Sequence, residues 1–397
     1  MTVLEGKRIL VGVTGGIAIY KTLSLLSMLN KAKAETRVVM SPGAQEFIRP
    51  LTFQTMSQHR VYTDAFGEED HFIPHIDLTR ECDAFLIAPA SADAIAKIAH
   101  GLADDLLTAT ALASHCPLLL APAMNVYMYR NPATQANLSL LRERGITIVE
   151  PNAGWLACNE VGEGRMPEAQ ELFAVLEEFF TPKDLRGKKI LVTAGPTRER
   201  IDPVRFLTND SSGRQGLAIA VEAQKRGAEV TLIHGPLEVE IPASMKQIAI
   251  SSTRELLEAL EKNFASCQAL IMAAAPSDYA PVREAGEKLT KKDTGDRWCL
   301  ELVQNPDILQ KLSEQKTNQV MIGFAAETVD GLAHAREKRV RKGLDYIVLN
   351  DVSQPGAGFN GETNIVTIVG DSLEKKYPLQ SKTEVANHIL DLFVQGA

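Results

Sequence analysis

The chain alternates between short apolar runs and longer segments with an apolar residue every three or four positions. In the first half the runs predict β-strands at Ile9–Val13, Arg37–Met40, Ala84–Ala88, Pro117–Ala121 and Ile146–Val149. Helical periodicity predicts helices around Ala18–Leu29, Ala92–Ala99 and Pro132–Glu143. Strands that are apolar along their whole length and alternate with helices are typical of a parallel sheet covered on both faces. The pattern therefore predicts an α/β fold.

The second half of the chain begins like the first. Residues 6–11 (GKRILV) and 187–192 (GKKILV) each form a short apolar run that leads through a glycine-containing turn into a helical segment. The stretch 181–189 between the halves is polar and basic and contains Pro and Gly, as is typical of a linker. Farther on, a helix is predicted to run to Arg226, with Gly227 as its C-terminal cap. We predict two tandem α/β domains, residues 1–182 and 187–397.

Charge limits the partners that the chain can bind. The 397 residues include 42 Lys and Arg against 50 Asp and Glu, which argues against a basic surface for nucleic acid. Residues 1–182 carry a net charge of −7 and the remainder carries −1, so the second domain is the better host for a highly charged anion. The first ten residues contain charges and are followed by only a short apolar run, so we expect neither a signal peptide nor a membrane span. The predicted compartment is the cytoplasm.

The cysteines argue against a disulfide framework and against a zinc site. They are odd in number, widely spaced and without a CxxC pair: Cys82, Cys116, Cys158, Cys267 and Cys299. We predict free thiols. Unless one of them has a chemical role, they are expected to pack.

Small and polar residues follow several of the predicted strands, at the edge where parallel sheets bind ligands. In the first domain these are 14–16, 89–93 and 122–125. The Gly15-Gly16 pair could let the backbone approach a phosphate or a flat ring, or could serve the turn geometry alone. In the second domain Ser211-Ser212-Gly213 at a helix start could hold an anion. Neither GxxxxGK[ST] nor a GxGxxG turn after the first strand is present.

Several single residues could carry chemistry, and each also has a simpler interpretation. In the first domain His75 could be a packed histidine, Asn125 a paired amide and Cys158 an inert thiol. In the second domain Lys288 and the run 338–342 could face a phosphate or form solvated charge. Asp278 and 305–307 lie at predicted strand or loop ends.

The first half resembles the flavin-dependent cysteine decarboxylases. The resemblance rests on residues 15–18 (GGIA), Tyr20-Lys21, His75-Ile76, 89–92 (PASA), 122–128 (PAMNVYM), Ala157-Cys158 and 164–166 (GRM). The second half looks like phosphopantothenate–cysteine ligase, through residues 193–199 (TAGPTRE), 201–205 (IDPVR), Thr208-Asn209, 211–213 (SSG), 305–307 (NPD), 323–328 (GFAAET) and 350–352 (NDV). In this order the pair is similar to the bifunctional proteins of coenzyme A biosynthesis. The resemblance implies two Rossmann-like domains, a flavodoxin-like flavoprotein domain followed by a nucleotide-binding ligase domain.

For the ligase half, the resemblance implies that CTP and Mg²⁺ activate 4′-phosphopantothenate as an acyl-cytidylate. The amine of cysteine then displaces CMP. Lys288 would stabilise the charge that builds up, and Asn209 and Arg205 would contact the acyl-cytidylate and its phosphate. The residues implied to hold CTP are Asp278, Lys288, Phe324, Lys338 and Lys342, with Pro306, Asp307 and Ile308 at its phosphates.

For the decarboxylase half, the resemblance implies bound FMN, which supplies oxidation of the substrate thiol to a thioaldehyde and the reduction that follows loss of CO₂. His75 would be the base, Asn125 would hold the carboxylate, and Cys158 would donate the final proton. The residues implied at FMN are Gly15, Gly16, Ile17, Ser91 and Met124. The family also implies a homo-oligomer, with trimeric contacts through the flavoprotein half and dimeric contacts through the ligase half.

Two other interpretations of the sequence are less favoured. A regulatory flavoprotein that binds partner proteins without catalysis is disfavoured because His75, Asn125 and Cys158 are all present and a ligase half is attached. A nicotinamide-dependent oxidoreductase is disfavoured because the GxGxxG turn and its ribose-binding acid are missing. Departures from the family pattern affect details of substrate and nucleotide contact; they lie at Asp104, Tyr129, Arg200, Arg214-Gln215 and Pro276-Ser277.

Overall fold

The computed structural model of the chain describes residues 2–64, 73–155, 160–290, 293, 295, 297–327, 331–351 and 361–395. The chain forms two compact units, Met1–Thr181 and Pro182–Ala397. Each unit contains one large, mainly parallel sheet with helices on both faces. The predicted α/β fold with two Rossmann-like domains is confirmed.

A six-stranded parallel sheet forms the centre of the first unit. Its strands are β1 (Arg8–Val13), β2 (Glu35–Met40), β3 (Val61–Tyr62), β4 (Ala84–Ala90), β5 (Leu118–Pro122) and β6 (Thr147–Ile148). Their order in space is β3-β2-β1-β4-β5-β6. Apart from the two-residue edge strand β3, this is the order of flavodoxin-like folds. An antiparallel pair follows the sheet, β7 (Asn152–Trp155) and β8 (Val161–Arg165).

Several helices of the first unit begin at capping residues. Ser91 caps α5 by accepting a hydrogen bond from the Ala94 N–H, and Asn131 caps α8 in the same way, with Pro132 as its first residue. The helices described are α1 (Ile19–Lys31), α2 (Pro42–Gln45), α3 (Pro50–Ser57), α4 (Pro74–Arg80), α5 (Ala92–His100), α6 (Leu106–Leu112), α7 (Val126–Arg130), α8 (Pro132–Glu143) and α9 (Ala169–Phe180).

The core of the first unit lies on both faces of its sheet. Successive side chains of a strand point to opposite faces, so Ile9 and Val11 of β1 pack on one side and Leu10 on the other. The first face is covered by α1 and α9, and the second by residues that include Ile95 of α5 and Leu138 of α8. Burial of each such side chain contributes ~1.5–3 kcal/mol to folding.

An eight-stranded sheet forms the second unit, in the order β13-β12-β9-β14-β17-β18-β19-β20. The six strands from β13 to β18 in this order are parallel, and β19 and β20 are antiparallel to their neighbours. Two small antiparallel pairs, β10–β11 and β15–β16, lie outside it. The strands are β9 (Lys189–Ala194), β10 (Arg198–Arg200), β11 (Phe206–Thr208), β12 (Glu229–His234), β13 (Lys246–Ala249), β14 (Ala269–Met272), β15 (Tyr279–Pro281), β16 (Leu302–Gln304), β17 (Val320–Glu327), β18 (Tyr346–Asp351), β19 (Thr363–Val369) and β20 (Glu374–Ser381).

The helices of the second unit are α10 (Arg214–Lys225), α11 (Thr253–Phe264), α12 (Ile308–Ser313), α13 (Gly331–Arg341) and α14 (Lys382–Gln395). The turn after α10 contains Gly227 with a φ of +90°, a conformation that glycine adopts without strain. β14 ends at Met272, although the apolar sequence continues to Ala275. The backbone leaves the sheet at this point, and the Ala275 N–H donates to the Gly195 carbonyl instead of continuing the strand.

Burial makes two of the described thiols unreactive. Burial raises the pKa of Cys82 to about 12 and that of Cys267 to about 11, so the nucleophilic thiolate is scarce at neutral pH. Cys116 is half-buried, whereas Cys299 is exposed. The expectation that every cysteine without a chemical role packs is therefore wrong for Cys299. None of the helices that the structure describes is long and apolar enough to cross a membrane.

Candidate active sites

The first unit has a cavity of about 740 Å³ at the carboxyl ends of its strands. It lies where the strand order reverses between β1 and β4, the position at which such sheets bind ligands. The cavity brings together six residues that the sequence singled out: Gly15, Gly16, Ile17, Ser91, Met124 and Asn125. Its lining is more apolar than polar, as suits a flat aromatic ligand.

Backbone packing forms one wall of this cavity. A Cβ atom on Gly15 would lie 2.8 Å from the carbonyl oxygen of Gly43, so only glycine fits there. The Thr14 hydroxyl donates to the Pro89 carbonyl at 2.8 Å and accepts from the Ser91 N–H at 2.9 Å. These bonds hold the turns after β1 and β4 together.

Asn125 is fixed by its neighbours. Its Oδ1 accepts from the Tyr127 N–H at 2.8 Å, and its Nδ2 donates to the carboxylate of Glu160 at 2.5 Å. The preceding Met124 N–H donates to the Gly164 carbonyl at 3.0 Å. Gly164 has a φ of +120°, and a Cβ there would collide with the Met124 carbonyl oxygen. The close contact between β8 and the segment that contains Met124 and Asn125 therefore requires glycine.

Two predicted catalytic residues of the first unit are not placed in the cavity. His75 is half-buried in α4 and is not among the residues that line it. Cys158 lies outside the described residues. The strands β7 and β8 on either side of Cys158 do reach the cavity, through Trp155, Gly164 and Arg165.

Lys21 lines the same cavity, although the sequence predicts no role for it. It is 4% exposed; its Nζ donates to the Met166 carbonyl at 2.6 Å and lies 3.0 Å from a Glu168 carboxylate oxygen. The hydrogen bond from Lys21 lowers the pKa of Glu168. A lysine this deeply buried is rare unless it is paired, and here it ties α1 to the segment after β8.

The second unit has a cavity of about 560 Å³ where its strand order reverses between β9 and β14. Predicted residues that line it are Asn209, Asp278, Asp307, Ile308, Phe324, Lys338 and Lys342, together with the turn 211–213. Arg205, Lys288 and Pro306 do not line it.

The N-terminus of α10 opens onto this second cavity, as predicted for an anion site. Gly213 precedes the helix with a φ of +73°. A Cβ on Gly216 would lie 2.6 Å from the Thr193 carbonyl oxygen, so glycine allows α10 to pack directly against β9. Free N–H groups and the helix dipole at this end favour a phosphate.

Lys338 in the last turn of α13 and Lys342 just after the helix both line the cavity. Lys338 Nζ donates to the Phe324 carbonyl at 3.1 Å, and Lys342 Nζ lies 3.1 Å from an Asp307 carboxylate oxygen. Between them Arg339 bonds to Asp371, and Val340 is 72% exposed. The charged run 338–342 is therefore divided between the cavity and the surface.

Four polar side chains that line this cavity have no role predicted from the sequence. Gln215, Asn350, Asn364 and Lys382 all line it, and Asn350 and Lys382 are each 6% exposed. Within the described part of the chain, neither Gln215 Oε1 nor Asn350 Oδ1 receives a hydrogen bond. A buried acceptor without a hydrogen bond lowers the stability of the fold, so a ligand that donates N–H or O–H groups to these two oxygens fits this part of the cavity. The NDV motif at 350–352 was the available signal.

Comparisons with known proteins agree with this division of the chain. Residues 2–181 match the Flavoprotein family, and residues 185–396 match the DNA/pantothenate metabolism flavoprotein C-terminal domain. Similar proteins in several bacteria carry the name coenzyme A biosynthesis bifunctional protein CoaBC, and three of them illustrate the similarity. The Bacillus subtilis relative is 44% identical over 98% of this chain and 96% of its own length. The Haemophilus influenzae relative is 43% identical over 99% of this chain and 98% of its own length. The Escherichia coli K12 relative is 40% identical over 98% of this chain and 97% of its own length.

The agreement extends over both units and over nearly the whole length of these relatives. The chain belongs to the family of coenzyme A biosynthesis bifunctional proteins.

Proposed function

We propose that this chain makes 4′-phosphopantetheine in two consecutive reactions of coenzyme A biosynthesis. The domain 187–397 joins 4′-phosphopantothenate to cysteine with CTP, and the domain 1–182 decarboxylates the product with FMN. The observation that supports the proposal is that two cavities, each at a point where strand order reverses, contain all five residues that the motifs assign to FMN and six of the eight that they assign to CTP.

In the ligase reaction, the carboxylate of 4′-phosphopantothenate forms a bond to the α-phosphorus of CTP, and pyrophosphate leaves. The amine of cysteine then attacks the acyl carbon, CMP leaves, and the amine loses a proton. The N-terminus of α10 with Lys338 and Lys342 holds the phosphates, while Asn350 and Gln215 accept hydrogen bonds from the nucleotide. Lys288 stabilises the charge on the α-phosphate as it is attacked.

We assign the Mg²⁺ to the nucleotide rather than to a preformed protein site. In the described ranges no group of three or more His, Cys, Asp or Glu side chains could hold a metal ion. Mg²⁺ is commonly bound through one or two carboxylates and the substrate phosphates. Asp278 and Asp307 line the cavity and could supply those carboxylates.

In the decarboxylase reaction, FMN, when bound, supplies the two-electron oxidation of the substrate thiol and the reduction after CO₂ has left. His75 removes a proton in the oxidative step. Asn125, fixed by Tyr127 and Glu160, holds the substrate carboxylate. Cys158 returns a proton in the final reduction. The apolar wall, the glycine turn 15–16 and the capping Ser91 fit the isoalloxazine ring and phosphate of FMN.

Substituting Gly15 by alanine is expected to weaken FMN binding about tenfold or more, ~1.4 kcal/mol. The new Cβ would lie 2.8 Å from the Gly43 carbonyl oxygen and would displace the turn. Gly43→Ala is the matched control, because its Cβ would meet Gly15 Cα at an ordinary 3.8 Å. Fluorescence titration of the apoprotein with FMN gives both affinities, and equal affinities would refute the assignment of this turn to FMN.

We also propose that the working enzyme is a homo-oligomer. Around the first cavity Ile17, Tyr127 and Trp155 are each more than 60% exposed, and in the second unit the β15–β16 pair exposes apolar side chains such as Tyr279 and Val303. Exposed apolar surface of this kind is typical of an interface. A neighbouring copy would cover it and bring His75, Arg205 and Lys288 to cavities that they do not line in their own chain. The contacts implied are trimeric for the first unit and dimeric for the second.

The reactions take small-molecule substrates only, and no nucleic acid or membrane is required. The predicted cytoplasmic location suits them because thiols stay reduced there, as Cys158 must.

Two assays test the proposal. The purified chain is expected to bind FMN and turn yellow, and a protein that takes up no FMN contradicts the decarboxylase assignment. Pyrophosphate release from CTP is expected to require 4′-phosphopantothenate. Release that is independent of this acid contradicts the ligase assignment.

A further inference from the structure

Asp202 is a fully buried carboxylate in the turn between β10 and β11. Its Oδ1 accepts from the Val204 N–H at 2.8 Å and the Arg205 N–H at 2.7 Å. Its Oδ2 accepts from Arg205 Nε at 2.9 Å, from Arg205 Nη2 at 2.6 Å and from the Leu289 N–H at 3.2 Å. One side chain therefore joins two segments that are more than eighty residues apart.

The second of these segments carries Lys288. Before Lys288, the Ala285 N–H donates to the Ile201 carbonyl at 2.9 Å. After it, the Leu289 N–H is bound by Asp202, and the Leu289 carbonyl accepts from Arg205 Nη2 at 2.7 Å. The backbone is thus fastened on both sides of Lys288, whose own side chain is exposed.

Asp202 stays ionised in this setting. Burial alone would raise its pKa, but the hydrogen bonds from Arg205 and from the backbone N–H groups of Val204, Arg205 and Leu289 hold that pKa well below its usual range. The Trp298 ring lies 4.9 Å from the Arg205 guanidinium and holds it from another side. The ionised carboxylate therefore holds the Arg205 guanidinium through two charge-assisted hydrogen bonds and fixes the position of that cation.

We propose that Asp202 is a positioning residue that holds Arg205 and Lys288 as one rigid unit for the acyl-cytidylate step. The inference rests on the proposed role of Lys288 and goes beyond it, since it assigns a role to a fully buried carboxylate that acts through Arg205 and the Leu289 N–H. Asp202 sets where the Lys288 ammonium lies relative to the α-phosphate.

The test compares Asp202→Asn with Glu222→Gln. Glu222 is the matched control: it is 6% exposed and pairs with Lys225 three residues on, as Asp202 pairs with Arg205, but it bonds to Asn387 and not to the Lys288 segment. In Asp202→Asn, kcat for pyrophosphate release is expected to fall about 100-fold, the loss typical of a misplaced catalytic group. The dissociation constant of CTP is expected to stay within about threefold, because the residues that line the cavity provide most of the nucleotide contacts and the variant changes none of them.

A second readout follows the segment itself. Trypsin cleavage after Lys288 in the ligand-free chain is expected to be faster in Asp202→Asn and unchanged in Glu222→Gln, because loss of the anchor raises the population of open conformations. Should Asp202→Asn fail to fold, Asp202→Glu keeps the charge but displaces the carboxylate from the Leu289 N–H by one methylene group, and a loss of kcat in the same direction is expected.

The outcomes distinguish a failure of the proposed Lys288 role from a failure of the proposed Asp202 role. If Lys288→Gln releases pyrophosphate at the full rate, the proposed role of Lys288 fails and takes this inference with it. If Lys288→Gln is inactive while Asp202→Asn keeps its kcat, or loses no more than Glu222→Gln, the positioning role alone is overturned. Faster cleavage after Lys288 at an unchanged kcat also overturns it.

Discussion

Replacing Lys288 by glutamine is expected to stop pyrophosphate release from CTP and to leave decarboxylation intact. Attack on the α-phosphate concentrates negative charge there, and glutamine removes the cation that stabilises it. Loss of one such group typically costs about 10²- to 10³-fold in kcat, ~2.7–4 kcal/mol. Decarboxylation is assigned to the other unit, so it should continue at the wild-type rate. A coupled assay for pyrophosphate and a separate assay for CO₂ release, run on one preparation, measure both.

Lys311→Gln is the control for the loss of one positive charge. Lys311 is exposed on α12 and does not line the cavity. It is expected to behave like the wild type in both assays. Full ligation by Lys288→Gln would show that Lys288 has no part in activation, and loss of decarboxylation would show that the substitution disturbs the whole chain.

Replacing Cys158 by serine is expected to make the oxidised, decarboxylated intermediate accumulate in place of 4′-phosphopantetheine. A serine hydroxyl is a far weaker acid than a thiol, so the last protonation should fail after CO₂ has already left. Mass spectrometry should find a species lighter than 4′-phosphopantetheine by two hydrogen atoms. Pyrophosphate release should be unchanged, because the ligase cavity is in the other unit.

Cys299→Ser provides the comparison, because Cys299 is exposed and has no proposed role. It is expected to yield normal 4′-phosphopantetheine. Normal product from Cys158→Ser would refute the proton-donor role and leave the flavin assignment standing.

Much of the fold follows from local sequence signals. The helix Pro132–Glu143 has the predicted bounds because Asn131 and Pro132 mark its start and apolar periodicity marks its length. β1 differs from the predicted Ile9–Val13 by one residue at its start, because a continuous apolar run that ends at a turn defines a buried strand well. β7 and β8 were not predicted, because neither carries a buried apolar run and β8 contains two glycines.

The sequence predicts those site residues that directly follow an apolar strand. Gly15, Ser91 and Asp278 follow predicted strands, and the structure places them at the two cavities. Lys382 and Asp202 were missed because their roles arise from tertiary contacts: Lys382 begins the last helix, and Asp202 reaches Leu289 across eighty-seven residues. His75 and Lys288 are not among the residues that line the two cavities described above, and the sequence carried no signal for where a second copy of the chain would place them.

The most direct test of the central claim is a single conversion followed by mass spectrometry. The FMN-loaded chain is incubated with 4′-phosphopantothenate, cysteine, Mg²⁺ and CTP, with a parallel reaction containing ATP. The expected result with CTP is 4′-phosphopantetheine, with one CMP, one pyrophosphate and one CO₂ for each molecule formed, and phosphopantothenoylcysteine as the intermediate. Absence of phosphopantothenoylcysteine and of 4′-phosphopantetheine with either nucleotide would contradict the account.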